Sequence, residues 1–190
     1  ILAGAAAGFL TAFLQTKMKI QPILAGIITM TALYSINLMV MDDKANVPIT
    51  QQESIYTAFG SLVGKQAQGM VLSLLVLILA GAAMVLFLKT PFGLSVRATG
   101  DNESMVRSSS INADLTKTAG LMGANACVAL SGAMIAHYNC YAEVRMGIGM
   151  VVIGLASFII GEIAVGIFVK RKGVVSGVVA AAVGSILYRL

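Results

Sequence analysis

The polar stretch Thr90–Lys117, TPFGLSVRATGDNESMVRSSSINADLTK, determines how the chain is organised, because it separates two apolar runs that carry no charge. These runs, Met70–Leu88 and Thr118–Ala136, are each close to the ~20 residues that an α-helix needs to cross a bilayer core. Within the stretch, basic and acidic side chains are interspersed over a length that exceeds a simple turn. The pattern predicts two membrane helices joined by a structured, mixed-charge loop, and such a loop is a candidate docking surface.

The composition excludes an ordinary soluble domain. The 190 residues have a mean hydropathy of +0.90, with 58% hydrophobic and 11% charged residues. The 20 glycines, together with abundant alanine, indicate close helix packing within a lipid bilayer. The net charge of +5 is spread over short connections between helices, which is typical of membrane topology rather than of a nucleic-acid-binding stripe. We therefore expect no nucleic acid partner.

Six apolar segments predict an all-α, polytopic transmembrane helix bundle that forms a single domain over residues 1–190. They cover approximately residues 1–15, 20–41, 70–88, 118–138, 147–169 and 174–188. The first and last are short for a full crossing and the ends are abrupt, so we expect an incomplete chain that lacks N-terminal helices. The two long connections are loops 89–117 and 42–69, and a short helix is predicted near residues 52–63.

Lysine and arginine residues predict the orientation, because they are enriched in cytoplasmic loops. Nine lie in the connections at 16–19, 89–117 and 170–173, whereas three lie in the alternate set at 42–69 and 139–146. Loop 89–117 is therefore predicted to be cytoplasmic and loop 42–69 external. We interpret loop 42–69 as a connector, with an external docking or gating role as the alternative.

Helix-capping residues divide the cytoplasmic loop into short elements. Thr90 precedes a proline and is expected to start a helix, and Gly100 is expected to break it. Asp101 or Asn102 can then cap a short helix, and Asn112 can cap the helix that enters the membrane.

The short helix carries an apolar edge beside a charge. Met105 and Val106 supply the edge, and Arg107 lies next to it. Such a helix suits insertion into the groove of a partner protein. It equally suits an amphipathic helix that rests on lipid headgroups.

Three strings of residues extend this interpretation: TPFGLSVRATGDN, INADLTKTAGLMGANACVALSGAMIAHY and GIGMVVIGLASFIIGE. They resemble the permease subunits of ATP-binding-cassette importers, specifically the branched-chain amino acid/ribose permease superfamily. Within it, the chain is similar to a bacterial group linked to aromatic amino acid uptake or to uncharacterised substrates. Two positions depart from the pattern, since Ser110 and Cys140 stand where such proteins commonly have glycine or another small flexible residue.

The resemblance implies a multi-pass protein of the bacterial inner membrane in which two permease chains, as a homodimer, form a pore for a small solute. Two cytoplasmic ATP-binding subunits would dock on the loops, and an external solute-binding protein would deliver the solute. No GxxxxGK[ST] motif is present, so ATP and Mg²⁺ are expected in the partner and no cofactor in this chain. The implied ATPase-coupling residues are Gly100, Asp101, Asn102, Glu103, Met105, Val106 and Arg107.

Glu162 is the one acidic residue inside an apolar run, SFIIGEIAVG. A carboxylate at membrane depth is costly, so it is expected to face a cavity, a partner or a helix break, and Gly161 would permit such a break. Glu162 is a candidate pore or gate residue. The alternative is a structural carboxylate that caps a half-helix or pairs with a basic residue.

Other polar residues within the membrane segments are further pore candidates: Asn125, Ser131, Thr29 and Asn37. Asn125 and Ser131 lie in a helix whose small residues, including Gly123 and Gly132, recur at four-residue spacing, which predicts a helix-packing face. We expect Asn125 to form a hydrogen bond across that interface, with pore lining as the alternative.

The remaining chemistry is sparse. Cys127 and Cys140 are about 20 Å apart along a helix, which is beyond disulfide reach, so both are expected to be free thiols. The sequence shows no pair of acid and base groups that would indicate an enzyme. A secondary transporter or channel driven by an ion gradient is the alternative to the importer, although it would need more buried charge and inverted repeats. A membrane scaffold or assembly factor is a third possibility.

Overall fold

The computed structural model describes residues 1–49, 68–168 and 173–189. Within these ranges the chain forms eight helices and one two-stranded sheet. The elements are α1 (Leu2–Thr16), α2 (Pro22–Val40), β1 (Asn46–Pro48), α3 (Gln68–Lys89), α4 (Pro91–Asp101), α5 (Glu103–Ser108), α6 (Ala113–Asn139), β2 (Tyr141–Glu143), α7 (Met150–Phe168) and α8 (Val174–Arg189).

The prediction of an all-α transmembrane bundle is confirmed. Helices α2, α3 and α6 are long and apolar enough to cross a membrane, and α1, α7 and α8 are further apolar helices. Most apolar side chains of these helices face outward, such as Met39, which is 81% exposed, and this is the arrangement expected in a lipid bilayer. The helix predicted near residues 52–63 lies outside the described residues.

Helices α1 and α6 pack antiparallel at close range. A side-chain carbon at Gly4 would collide with Ala129, and one at Gly8 would lie 2.6 Å from the carbonyl oxygen of Leu121. The predicted packing face of α6 is therefore only partly correct. Gly123 and Gly132 have open space beside them, because the small residues that allow the close approach are on α1.

Helices α7 and α8 form a second close pair through glycine. Gly161 lies against the backbone of Ala180, and Gly184 lies against the backbone of Ser157 and Gly161. The expected helix break at Gly161 is wrong, since α7 is continuous from Met150 to Phe168. Gly161 is required for contact with α8 rather than for a break.

The two faces of the bundle are distinguished by their connections. On one face, β1 and β2 pair antiparallel, with Val47 opposite Ala142, and so join the α2–α3 and α6–α7 connections. On the other face, the end of α1 lies beside α5 and the start of α6 around a shared cavity. The connections at 16–19 and 89–117, which the charge pattern assigns to one side, therefore do lie together.

Candidate functional site

A tight turn after α3 begins the polar segment. Thr90 caps α4, and its Oγ1 accepts a hydrogen bond from the backbone N–H of Gly93 at 3.0 Å. Pro91 occupies the first turn, where its missing N–H is not needed. The expected helix start is confirmed. Gly93 packs onto the backbone of Phe87 and Leu88, and a side chain there would prevent α4 from folding back against α3.

The boundary between α4 and α5 differs in detail from the prediction. Gly100 does not break the chain, because α4 continues through it to Asp101. A glycine costs a helix only about 1 kcal/mol, which the packing of α4 can offset. Of the two proposed caps, Asn102 is the one used: its Oδ1 accepts a hydrogen bond from the N–H of Met105 at 3.1 Å. Asn112 caps α6 as predicted, accepting from the N–H groups of Asp114 and Leu115.

The apolar edge of α5 is divided between two sides of the helix. Met105 is 67% exposed, whereas Val106 is 4% exposed and packs within the chain. Of the two predicted apolar contacts, Met105 is therefore the one that a partner can reach. Asp101, Asn102, Ser104 and Ser108 are also exposed around it.

An ionic cluster, formed by Glu103, Arg107, Asp114 and Lys117, joins α5 to α6. Within α5, Arg107 pairs with Glu103 at 2.9 Å. Between the helices, Arg107 pairs with Asp114 at 2.5 Å, and Lys117 pairs with Glu103. Sequence reasoning assigned Glu103 and Arg107 to a partner contact, whereas the structure shows that their charges are satisfied within the chain.

The ion pairs within the cluster shift the pKa values of Glu103 and Arg107. Hydrogen bonds from Lys117 and then Arg107 hold the pKa of Glu103 below its ordinary value of 4.5. Hydrogen bonds to Glu103 and Asp114 raise the pKa of Arg107. Because the cluster is partly exposed, with Lys117 at 33% and Arg107 at 52% side-chain exposure, solvent and salt weaken these pairs.

A buried threonine pair, which the sequence analysis missed, joins α4 to α6. The hydroxyl oxygens of Thr99 and Thr116 are 2.8 Å apart, and the residues are 5% and 2% exposed. Each hydroxyl also lies within hydrogen-bonding distance of a carbonyl oxygen of its own helix, that of Ser95 or Ala113. No local pattern identifies such a pair, because its members are on different helices.

A polar cavity of about 390 Å³ lies between the ionic cluster and the end of α1. Gln15, Thr16 and Lys19 line its α1 side, and the four cluster residues line the other. Lys19 adopts a left-handed backbone, with φ 53°, in the turn to α2. The cavity therefore lies between the connection at 16–19 and the connection at 89–117, both of which carry basic residues.

The two departures from the permease pattern both have left-handed backbone conformations. Ser110 has φ 60° and Cys140 has φ 59°, values that favour glycine. This backbone conformation suits the glycine or other small flexible residue that the permease resemblance implies at these positions. Cys140 ends α6 there, and both it and Cys127 are free thiols, as expected.

The pore candidates do not lie together in one site among the described residues. Thr29 is 5% exposed, and its hydroxyl accepts a hydrogen bond from Thr11 across the α1–α2 contact at 3.0 Å. Asn125 Nδ2 donates to the carbonyl of Leu121 in its own helix at 3.0 Å, and the expected hydrogen bond of Asn125 across a helix interface stays a prediction.

The other three pore candidates are exposed residues on separate helices: Asn37 on α2, Ser131 on α6 and Glu162 on α7. Their role in a pore stays a prediction.

Comparison with known proteins identifies matches to transport-system permeases. The family model described as "Branched-chain amino acid transport system / permease component" matches residues 1–190. A "Tyrosine transport system permease protein" of Clostridioides difficile (strain R20291) is 38% identical over 189 residues, covering 100% of this chain and 60% of that protein. An uncharacterized protein of Rickettsia prowazekii (strain Madrid E) is 28% identical over 162 residues, covering 85% of this chain and 56% of that protein. No solved structure gives a significant match.

These matches confirm the resemblance seen in the polar segment and its flanking helices. The chain spans about 60% of the length of the curated relatives it matches. Its apolar helices and the permease family model identify a multi-pass protein of the inner membrane. The chain belongs to the branched-chain amino acid transport system permease family.

Proposed function

We propose that this chain is the permease part of an ATP-driven importer and that α5 is the contact for a cytoplasmic ATP-binding subunit. The observation that carries the proposal is the exposure of Met105, at 67%, on a helix whose opposite side is held by the chain itself. An apolar side chain on a fixed short helix can enter a partner's groove without the cost of ordering a flexible loop.

The predicted coupling set divides into two roles under this proposal. Asp101, Asn102 and Met105 are exposed and would contact the ATP-binding subunit, with Gly100 adjacent to them. Glu103 and Arg107 instead fix α5 to α6 through ion pairs, and Val106 is buried within the chain. Ser104 and Ser108, which lie on either side of Met105, join the contact surface.

The surrounding assembly follows from the permease family and stays a proposal. A second permease copy would complete the pore, and an external solute-binding protein would dock on the face that carries β1 and β2. ATP and Mg²⁺ would be bound by the partner subunit, and this chain would need no cofactor of its own. The charge pattern supports a cytoplasmic position for α4 and α5.

The substrate that we propose is an amino acid, with aromatic amino acids favoured. The support is the name of the Clostridioides difficile relative, which refers to tyrosine transport. The membrane helices carry few charged residues, and a path between them would suit a zwitterionic solute with no net charge. Retention of a sugar rather than an amino acid by the cognate external binding protein would overturn this choice.

The test is co-purification of the full-length permease with its ATP-binding subunit. Met105→Glu is expected to abolish capture, because it places a charge in an apolar groove. Met39→Glu is the control, since Met39 is also exposed, at 81%, but lies near the end of α2, on the opposite face of the bundle from Met105. Unchanged capture by Met105→Glu would move the contact away from α5, and no capture by the native permease would contradict the ATP-driven class.

A further inference from the structure

The position of α5 is set by contacts with the rest of the chain. Its six residues, Glu103–Ser108, are too few to form a stable helix alone, so its position depends on contacts with the rest of the chain. Those contacts are the buried side chain of Val106 and the two ion pairs that cross to α6.

The two crossing ion pairs have opposite polarity. Glu103 at the start of α5 pairs with Lys117 of α6, whereas Arg107 near the end of α5 pairs with Asp114 of α6. Sliding α5 along α6 in either direction would separate opposite charges and bring like charges together. The arrangement therefore fixes the register of α5 on α6.

The same helix, α6, holds α4 and α1. Thr99 of α4 contacts Thr116 in the buried hydroxyl pair, and Gly8 of α1 lies directly on the backbone of α6. By contrast, among the described residues α7 packs only on α8, and α8 contacts α3, which itself contacts α4 and α6. The described chain thus contains one group of helices built around α6 and an α7–α8 pair that packs against this group only through α3.

We propose that Lys117 and Glu103 are positioning residues that make α5 move as one body with α6 and α1, so that displacement of α5 drives this group relative to the α7–α8 pair. This inference rests on the proposed function, since the displacement is supplied by the ATP-binding subunit. It assigns Lys117, which no partner needs to touch, to the coupling of ATP hydrolysis to transport.

The first experiment examines the attachment in the full-length permease without its partner. Amide hydrogen exchange of residues 103–109 is measured in the native chain and in Lys117→Gln. Loss of the cross-helix pair is expected to raise exchange in α5 by roughly tenfold, with the middle of α6 unchanged. Lys89→Gln is the control, because Lys89 is a basic residue at the end of α3 that lies outside the ionic cluster. Equal exchange in both variants would overturn the attachment.

The second experiment examines coupling in proteoliposomes that contain the ATP-binding subunit and the external binding protein, with L-tyrosine as the probe. Lys117→Gln is expected to retain capture of the ATP-binding subunit but to lose at least about fivefold in tyrosine uptake per ATP hydrolysed. Lys117→Arg is expected to restore the ratio. An unchanged ratio in Lys117→Gln would overturn the proposal. Failure of the native permease to capture the ATP-binding subunit would instead contradict the proposed function, and the exchange experiment would still decide whether the attachment exists.

Discussion

The hydroxyl oxygens of Thr99 and Thr116 lie 2.8 Å apart in a buried contact that joins α4 to α6. In the interior of a protein, removal of one member of a hydrogen-bonded pair leaves the other short of a partner. Because each threonine also lies within hydrogen-bonding distance of a carbonyl of its own helix, the pair connects two helices without leaving either hydroxyl unsatisfied.

The first prediction concerns this pair. Thr116→Val is expected to lower the free energy of unfolding by about 1–2 kcal/mol, because the Thr99 hydroxyl loses a partner. Thr99→Val with Thr116→Val is expected to cost less than the sum of the two single changes. A double-mutant cycle on detergent-solubilised protein measures this, and strict additivity would contradict a direct interaction.

A second prediction uses the left-handed backbone of Ser110. Ser110→Gly is expected to raise the free energy of unfolding by up to about 1 kcal/mol, since glycine relieves the strain at φ 60°. Part of this gain is offset because glycine loses more conformational entropy on folding than serine does. Ser109→Gly is the control, because Ser109 has φ −91° and no such strain. Thermal unfolding of both variants in detergent checks the difference, and a gain in Ser109→Gly equal to that in Ser110→Gly would argue against the assigned conformation.

The α7–α8 pair gives a third prediction. Gly161→Ala is expected to destabilise the protein by about 1–3 kcal/mol, because the added methyl group would collide with the backbone of Ala180. Gly154→Ala, on the same helix, meets open space and is expected to be neutral or slightly stabilising through helix propensity. The readout is thermal stability in detergent. Equal effects of the two changes would show that α7 and α8 are not in contact at Gly161.

The ionic cluster predicts a pH dependence for α5. The pKa of Glu103 is lowered in the folded chain, so its ionised form stabilises the α5–α6 contact at neutral pH. That contribution is present above the ordinary value of 4.5 and is lost as the pH falls below it, through the lowered pKa. A spin label at Ser104→Cys, in a background without Cys127 and Cys140, is expected to become more mobile as the solution is acidified. In Glu103→Gln the label is expected to be mobile at neutral pH already, and an identical pH response in that variant would exclude Glu103 as the titrating group.

Much of the architecture was predictable from local pattern. Uninterrupted apolar runs predict membrane helices because an unpaired backbone is costly in lipid, and the caps Thr90, Asn102 and Asn112 act through neighbours only a few residues away. Gly100 and Gly161 were misjudged because glycine's intrinsic helix cost is small beside packing, and at Gly161 the absence of a side chain is what permits packing.

The contacts that organise the candidate site were less accessible to sequence reasoning. The pairing of Glu103 with Lys117 and of Thr99 with Thr116 depends on how separate helices meet, and no residue spacing specifies that. Ser110 and Cys140 depart from the pattern that the resemblance implies, but only the structure shows that both residues have a left-handed backbone.

We propose that ATP hydrolysis in a partner subunit drives transport through this permease. The most direct measurement is uptake of L-tyrosine by proteoliposomes that contain the full-length permease, its ATP-binding subunit and the external binding protein. With ion gradients collapsed by ionophores, we expect tyrosine accumulation that requires hydrolysable ATP and that is lost in Met105→Glu. Uptake that proceeds without ATP and disappears when the ion gradients are collapsed would contradict this proposal.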